Sequence, residues 1–84
     1  VQDVPPYILA AGSPLVYSGI NSIGLKRRGF SSKDRKEIKG IYKEYFLSND
    51  NRKNNIENIS SNFVDSEFKN NIIKFIESSE RGII

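Results

Sequence analysis

Cysteine, histidine and methionine are all missing from this 84-residue chain. Without cysteine there is no disulfide framework, no thiolate metal site and no thiol nucleophile. Without histidine there is no imidazole to move a proton near neutral pH or to ligate a metal. Without methionine, Val1 is not a translational start, so the chain is expected to be processed or to be a piece of something longer. Long apolar runs are missing too. No stretch approaches the roughly 18 consecutive apolar residues that a membrane-spanning helix needs. No charged-then-apolar leader opens the chain, although an internal start makes that uninformative.

What remains is one small domain at most. A chain of this length hides roughly two-thirds of its unfolded surface, enough for a single modest core. Apolar residues make up 37% and charged residues 27%, so the core material is lean. Thirteen Lys plus Arg against ten Asp plus Glu leave a net charge of +3. That balance suits an acidic or phosphorylated partner without requiring one, and it falls short of the dense basic stripe of a dedicated nucleic-acid binder.

The composition changes along the chain. The first eighteen residues hold all three prolines and no lysine or arginine. Pro5 and Pro6 exclude a helix interior and favour extended backbone. Gly12-Ser13-Pro14 signals a turn, and Tyr7 to Ala11 between these features reads as one strand. Alone, that strand cannot bury itself, so it is expected to need neighbours from elsewhere. From Ile20 onward the pattern is helical. Asn21 or Ser22 caps a short helix that Gly29 stops at the position after its end. Ser31 with Asp34 resembles a capping box. Ile38, Ile41, Tyr42, Tyr45 and Phe46 then recur at i, i+3, i+4, i+7 and i+8, one apolar face at the helical period. Gly40 within that run costs about 1 kcal/mol against alanine. Ser48 to Asn51 breaks the helix. Ile56, Ile59 and Phe63 mark a third helix, and Asp65 is placed as the N-cap of a fourth carrying Phe68, Ile72, Phe75 and Ile76. Ser78 to Gly82 ends it. The expected fold is mainly α: a short extended segment followed by about four helices.

The strongest chemical candidate is Gly24-Leu25-Lys26-Arg27-Arg28-Gly29-Phe30. Three consecutive cations between glycines can grip a diphosphate, because arginine offers a planar fork and glycine lets a ligand approach the backbone. Asn21 stands close enough along a helix to add an amide donor and acceptor. The competing reading is a basic helix end that complements the negative C-terminal dipole without any ligand. A second basic face, Lys36, Lys39 and Lys43 with Arg35 nearby, can dock an acidic protein or simply be solvated, with Glu37 and Glu44 partly neutralising it. The tyrosines and phenylalanines at helical spacing read as core. The carboxylates are scattered, with no acid–base pair, metal cluster or phosphate-binding glycine loop. By residue chemistry this chain is not a complete enzyme, and no cofactor is called for.

Several of these strings together resemble a known family. Asp3-Val4-Pro5-Pro6-Tyr7 followed by Ala11-Gly12-Ser13-Pro14 resembles the last coil of a left-handed parallel β-helix, as in the hexapeptide-repeat acyltransferases. Gly19-Ile20-Asn21, the Gly24 to Phe30 string and the ending Ser79-Glu80-Arg81-Gly82-Ile83 resemble the branch that acylates UDP-N-acetylglucosamine from acyl carrier protein. The resemblance implies a division into residues 1–19, the terminal coil and connector, and residues 20–84, a helical C-terminal domain. It also implies a cytoplasmic homotrimer that transfers a 3-hydroxyacyl chain to the sugar 3-hydroxyl, the first step of lipid A synthesis. The family's catalytic histidine would then lie upstream of Val1. Asn21, Arg27 and Arg28 match nucleotide- and phosphate-contacting positions, and Lys39 matches a basic position facing the carrier protein. Ile23 departs from the pattern, standing where members carry glutamate. Two other readings stay open: an autonomous basic helical module for nucleic acid or an acidic protein, and a related transferase acting on another nucleotide sugar. The first leaves the proline segment unexplained, and the second fits the Gly24 to Phe30 string less well.

Overall fold

The computed structural model describes residues 3–48, 50–79 and 83–84. The proposed ending of the last helix at Ser78 to Gly82 therefore lies partly outside the described residues. Two strands, β1 (Ile8–Ala11) and β2 (Val16–Ile20), precede four helices: α1 (Ser22–Arg27), α2 (Ser32–Leu47), α3 (Arg52–Asn62) and α4 (Glu67–Ser78). The mainly helical architecture is as the apolar periodicity implied.

The N-terminal segment differs from expectation. Tyr7 to Ala11 is not a lone strand awaiting neighbours: β1 pairs antiparallel with β2, with Ile8 opposite Ile20 and Ala11 opposite Val16. The register shifts between Ile8 and Ala10, which marks a bulge. The partner strand Val16-Tyr17-Ser18-Gly19-Ile20 is short and carries a glycine, which weakens its signal in the sequence. Its Val and Tyr beside a Gly- and Pro-containing turn were the available cue. Strand β2 also runs directly into the cap of α1, so hairpin and helices join without a linker.

The hairpin closes onto α2 through aromatic rings. Tyr17 of β2 stacks on Phe46 with centroids 4.5 Å apart, and Tyr45 meets Phe46 edge-on at 5.1 Å. Tyr42 is fully buried beneath them and its hydroxyl donates to the Pro6 carbonyl at 2.7 Å. The rest of the core is Leu25 of α1, Ile38 and Ile41 of α2, Ile59 of α3, and Phe68, Ile72 and Ile76 of α4. Gly40 has a packing reason: a Cβ there would stand 3.3 Å from the Phe63 ring. Near the described ends, Ser79 Oγ donates to Asp3 Oδ2 at 2.8 Å and the Ile84 amide donates to the Asp3 carbonyl at 3.3 Å.

Helix α2 starts with a complete capping box. The Asp34 amide donates to Ser31 Oγ and the Ser31 amide to Asp34 Oδ2. The start of α4 corrects the expected cap by one residue: Ser66, not Asp65, accepts from the Lys69 amide at 3.0 Å. Asp65 instead receives the Lys69 ammonium at 3.0 Å. That ammonium also donates to the carbonyls of Ser60 and Phe63 at 2.9 and 2.8 Å, so all three of its protons are placed. Lys69 is only 2% exposed and in effect caps the C-terminus of α3, where carbonyls lack intrahelical partners.

Lys69→Met leaves two helix-end carbonyls unpaired and should cost about 2–4 kcal/mol in urea unfolding. Asp65→Asn should cost far less, because the Asp65 side chain is 94% exposed and its charge stays solvated. For Tyr42, burial first, then the neighbouring tyrosines 7, 17 and 45, push the phenol well above the ordinary value of 10.0. Between the unfolded and folded values the folded state holds the extra proton, so stability falls as pH rises past about 10. Tyr42→Phe should cost about 1 kcal/mol at neutral pH through the lost Pro6 bond and should flatten the alkaline decline in melting temperature.

Candidate anion site at the end of the short helix

The Gly24 to Phe30 string forms most of α1 and the turn that ends it. Asn21 caps the helix, its Oδ1 accepting from the Gly24 amide at 3.1 Å. A Cβ at Gly24 would come within 2.5 Å of Asn21 Nδ2, so a larger residue there would displace the capping side chain. At the other end Gly29 adopts φ of +88°, a backbone region that favours glycine. The Gly29 amide donates to Lys26 O at 3.1 Å and the Phe30 amide to Leu25 O at 3.0 Å. These paired bonds are a Schellman closure, with Phe30 packed on the core that holds Leu25. Arg35 of α2 anchors the same turn by donating from Nη1 to the Phe30 carbonyl at 2.6 Å.

This folding separates the roles of the two arginines. Arg27 ends the helix with an exposed side chain. Arg28, the C-cap, lays its guanidinium 5.2 Å from the Phe30 ring centroid and 5.9 Å from that of Tyr7. Both distances fall in the range of cation–π attraction. Arg28, Tyr7, Phe30, Asp34, Glu67, Phe68 and Asn71 line an open cleft of about 360 Å³, with Gly29 at its edge. Tyr7 is held from two directions: Asn71 Nδ2 of α4 donates to its hydroxyl at 2.9 Å, and its carbonyl accepts from the Asn21 amide at 2.8 Å. Its backbone has φ of +72°, unusual for a side chain this large.

The structure thus gathers Asn21, Arg27 and Arg28 around one six-residue helix, while Lys39 stands apart on the exposed face of α2 with Lys36 and Lys43. Asn21 does not offer both of its side-chain groups freely, because its oxygen is engaged by the cap. Ile23, 69% exposed, puts an apolar side chain beside these groups. Tyr7 and Asn71 were missed as site residues. The sequence pattern places Tyr7 at the start of a strand, and no sequence signal marks its left-handed backbone or its distant tether on α4. Among the described residues no group of three or more acidic side chains is placed to hold a metal ion. Chemically, the exposed Arg27 and Arg28 can meet an anion at the rim of this cleft, whose wall also carries the carboxylates of Asp34 and Glu67.

Residues 3–84 match the family model described as UDP N-acetylglucosamine O-acyltransferase, Domain 2. The acyl-[acyl-carrier-protein]–UDP-N-acetylglucosamine O-acyltransferase of Herminiimonas arsenicoxydans is 45% identical over 89 residues, covering 99% of this chain and 33% of that protein. Its counterpart in Fusobacterium nucleatum is 38% identical over 82 residues, covering 98% and 32%. Among solved structures, the UDP-N-acetylglucosamine acyltransferase of Bacteroides fragilis superposes on the whole chain with a TM-score of 0.94 at 40% identity, over 33% of its own length. The chain therefore spans about a third of the relatives it matches. The match includes the proline segment, and nothing in these similarities supports an autonomous nucleic-acid module. By sequence and by fold, this chain belongs to the UDP-N-acetylglucosamine O-acyltransferase family and corresponds to its C-terminal domain.

Proposed function

We propose that the longer protein containing this domain transfers a 3-hydroxyacyl chain from acyl carrier protein to the 3-hydroxyl of UDP-N-acetylglucosamine, opening lipid A synthesis in the cytoplasm as a homotrimer. The domain's share is recognition. Asn21, Arg27 and Arg28 contact the nucleotide and its phosphates, and Lys39 faces the acidic carrier protein. Histidine is absent here, so the proton-moving group belongs to the portion of the relatives that this chain does not span. In this reading residues 1–19 are the terminal coil of the β-helix and its connector, and residues 20–84 are the helical C-terminal domain. The partly exposed Leu9 and Val16 on the outer side of the hairpin fit a surface covered in the longer protein.

The observation that carries this reading is the end of α1. A Schellman closure flanked by glycines presents Arg27 to solvent and Arg28 at the mouth of a cleft, inside the stretch that the family model matches. Arginine there supplies charge-assisted, forked hydrogen bonds that suit a diphosphate, and its charge persists at every physiological pH. The Asn21 amide nitrogen lies beside the Gly24 backbone and adds a directional donor. No cofactor enters this scheme, since acyl transfer from a thioester to a hydroxyl needs only positioning and proton transfer.

In the full-length enzyme, Arg27→Ala or Arg28→Ala should raise the UDP-sugar KM and lower kcat/KM about ten- to a hundredfold, measured by steady-state acyl transfer. Unchanged kinetics in both variants would remove the nucleotide assignment. Lys39→Glu should raise the KM for acyl carrier protein several-fold at low salt while leaving UDP-sugar binding intact. A variant that alters neither would end the docking role of α2.

A further inference from the structure

We propose that Tyr7 is a positioning residue for the nucleotide-sugar site, acting through Arg28 and Asn21. The inference rests on the nucleotide role of Arg28 proposed above and adds a residue that neither the basic string nor the acyl chemistry supplies. Tyr7 meets both site residues at once. Its ring centroid lies 5.9 Å from the Arg28 guanidinium, and the Phe30 ring lies 5.7 Å from that of Tyr7 and 5.2 Å from Arg28. Its carbonyl receives the Asn21 amide at 2.8 Å, fixing the residue that caps α1.

One further contact holds Tyr7 itself and two hold its chain neighbours. Its hydroxyl accepts from Asn71 on the exposed face of α4. The preceding Pro6 carbonyl is pinned by Tyr42 of α2. The following residue, Ile8, begins the hairpin opposite Ile20, next to Asn21. Tyr7 thus transmits the positions of α2, α4 and the hairpin to a single guanidinium. A core-filling role alone does not explain this placement. The side chain is only half-buried, lies on the wall of the cleft and spends its hydroxyl on an exposed amide. It also sits at φ of +72°, a region costly to any residue with a bulky side chain. The physical benefit is preorganisation. A long arginine side chain loses rotamer freedom on binding, and two aromatic faces that already restrict it reduce that loss.

The test is steady-state kinetics of the full-length enzyme with both substrates varied. Tyr7→Leu should raise the UDP-sugar KM about tenfold while kcat and the acyl-carrier-protein KM stay within about twofold of the parent. Tyr7→Phe keeps the ring at the same backbone cost, so it should restore the UDP-sugar KM to within about threefold of the parent. The double variant Tyr7→Leu/Arg28→Ala should be no worse than Arg28→Ala alone, because both changes disable one unit. Equal losses in the Leu and Phe variants, or losses that multiply in the double variant, would overturn the inference. So would an unchanged KM in Tyr7→Leu beside a raised KM in Arg28→Ala, which leaves the nucleotide reading standing. An unchanged KM in Arg28→Ala itself overturns the nucleotide reading and takes this inference with it. If Tyr7→Leu does not fold, Tyr7→Asn decides the matter, because asparagine tolerates the left-handed backbone and lacks the ring: a UDP-sugar KM raised about tenfold supports the inference while an unchanged KM overturns it.

Discussion

The structure depends on the burial of Tyr42. This one side chain joins the two kinds of secondary structure in the chain, packing its ring between the hairpin and helix α2 and giving its hydroxyl to the Pro6 carbonyl. Neither part is self-sufficient. A two-stranded hairpin is marginal in water, and a helix with an interrupting glycine depends on its buried face. Stacking Tyr17 on Phe46 above Tyr42 buries large aromatic area on both sides of the joint. The polar end of the phenol matters as much as the ring. Proline has no amide to offer, and its carbonyl at the entrance to the hairpin finds a partner here.

From that joint, order passes to the anion site by short steps. Pinning Pro6 sets Tyr7, whose carbonyl holds the Asn21 amide, and Asn21 in turn starts α1. At the far end of α1, the Schellman closure and the Arg35 contact to Phe30 set the direction in which Arg28 leaves the backbone. The site is therefore built from backbone geometry rather than from a dense cluster of charges. Lys36, Lys39 and Lys43 illustrate the contrast. They share an exposed helix face and are oriented by nothing beyond the helix itself, an arrangement suited to a broad electrostatic surface.

Much of this is legible in the residues themselves. The apolar spacing of α2 and α4, the caps at Asn21 and Ser31 and the stop at Gly29 all correspond to local rules, and local rules determine helices well. What escaped was non-local. The pairing of β1 with β2 depends on a bulge and on packing against α2, neither of which leaves a mark in five residues. Asp65 looked like the natural cap of α4, but a lysine four residues on claimed its carboxylate and Ser66 took the role. Arg27 and Arg28 looked equivalent as neighbours in sequence. A helix end turns adjacent side chains apart, and only one meets the aromatic rings.

The buried ammonium of Lys69 also has a bearing on how the molecule comes apart. Its donors serve the end of α3 while its backbone belongs to α4, so neither helix can fray there without stranding a cation away from its acceptors. Two short helices that would otherwise open separately are thereby bound into one cooperative unit. Hydrogen exchange along α3 and α4 would then report a shared opening event instead of two gradients of local melting.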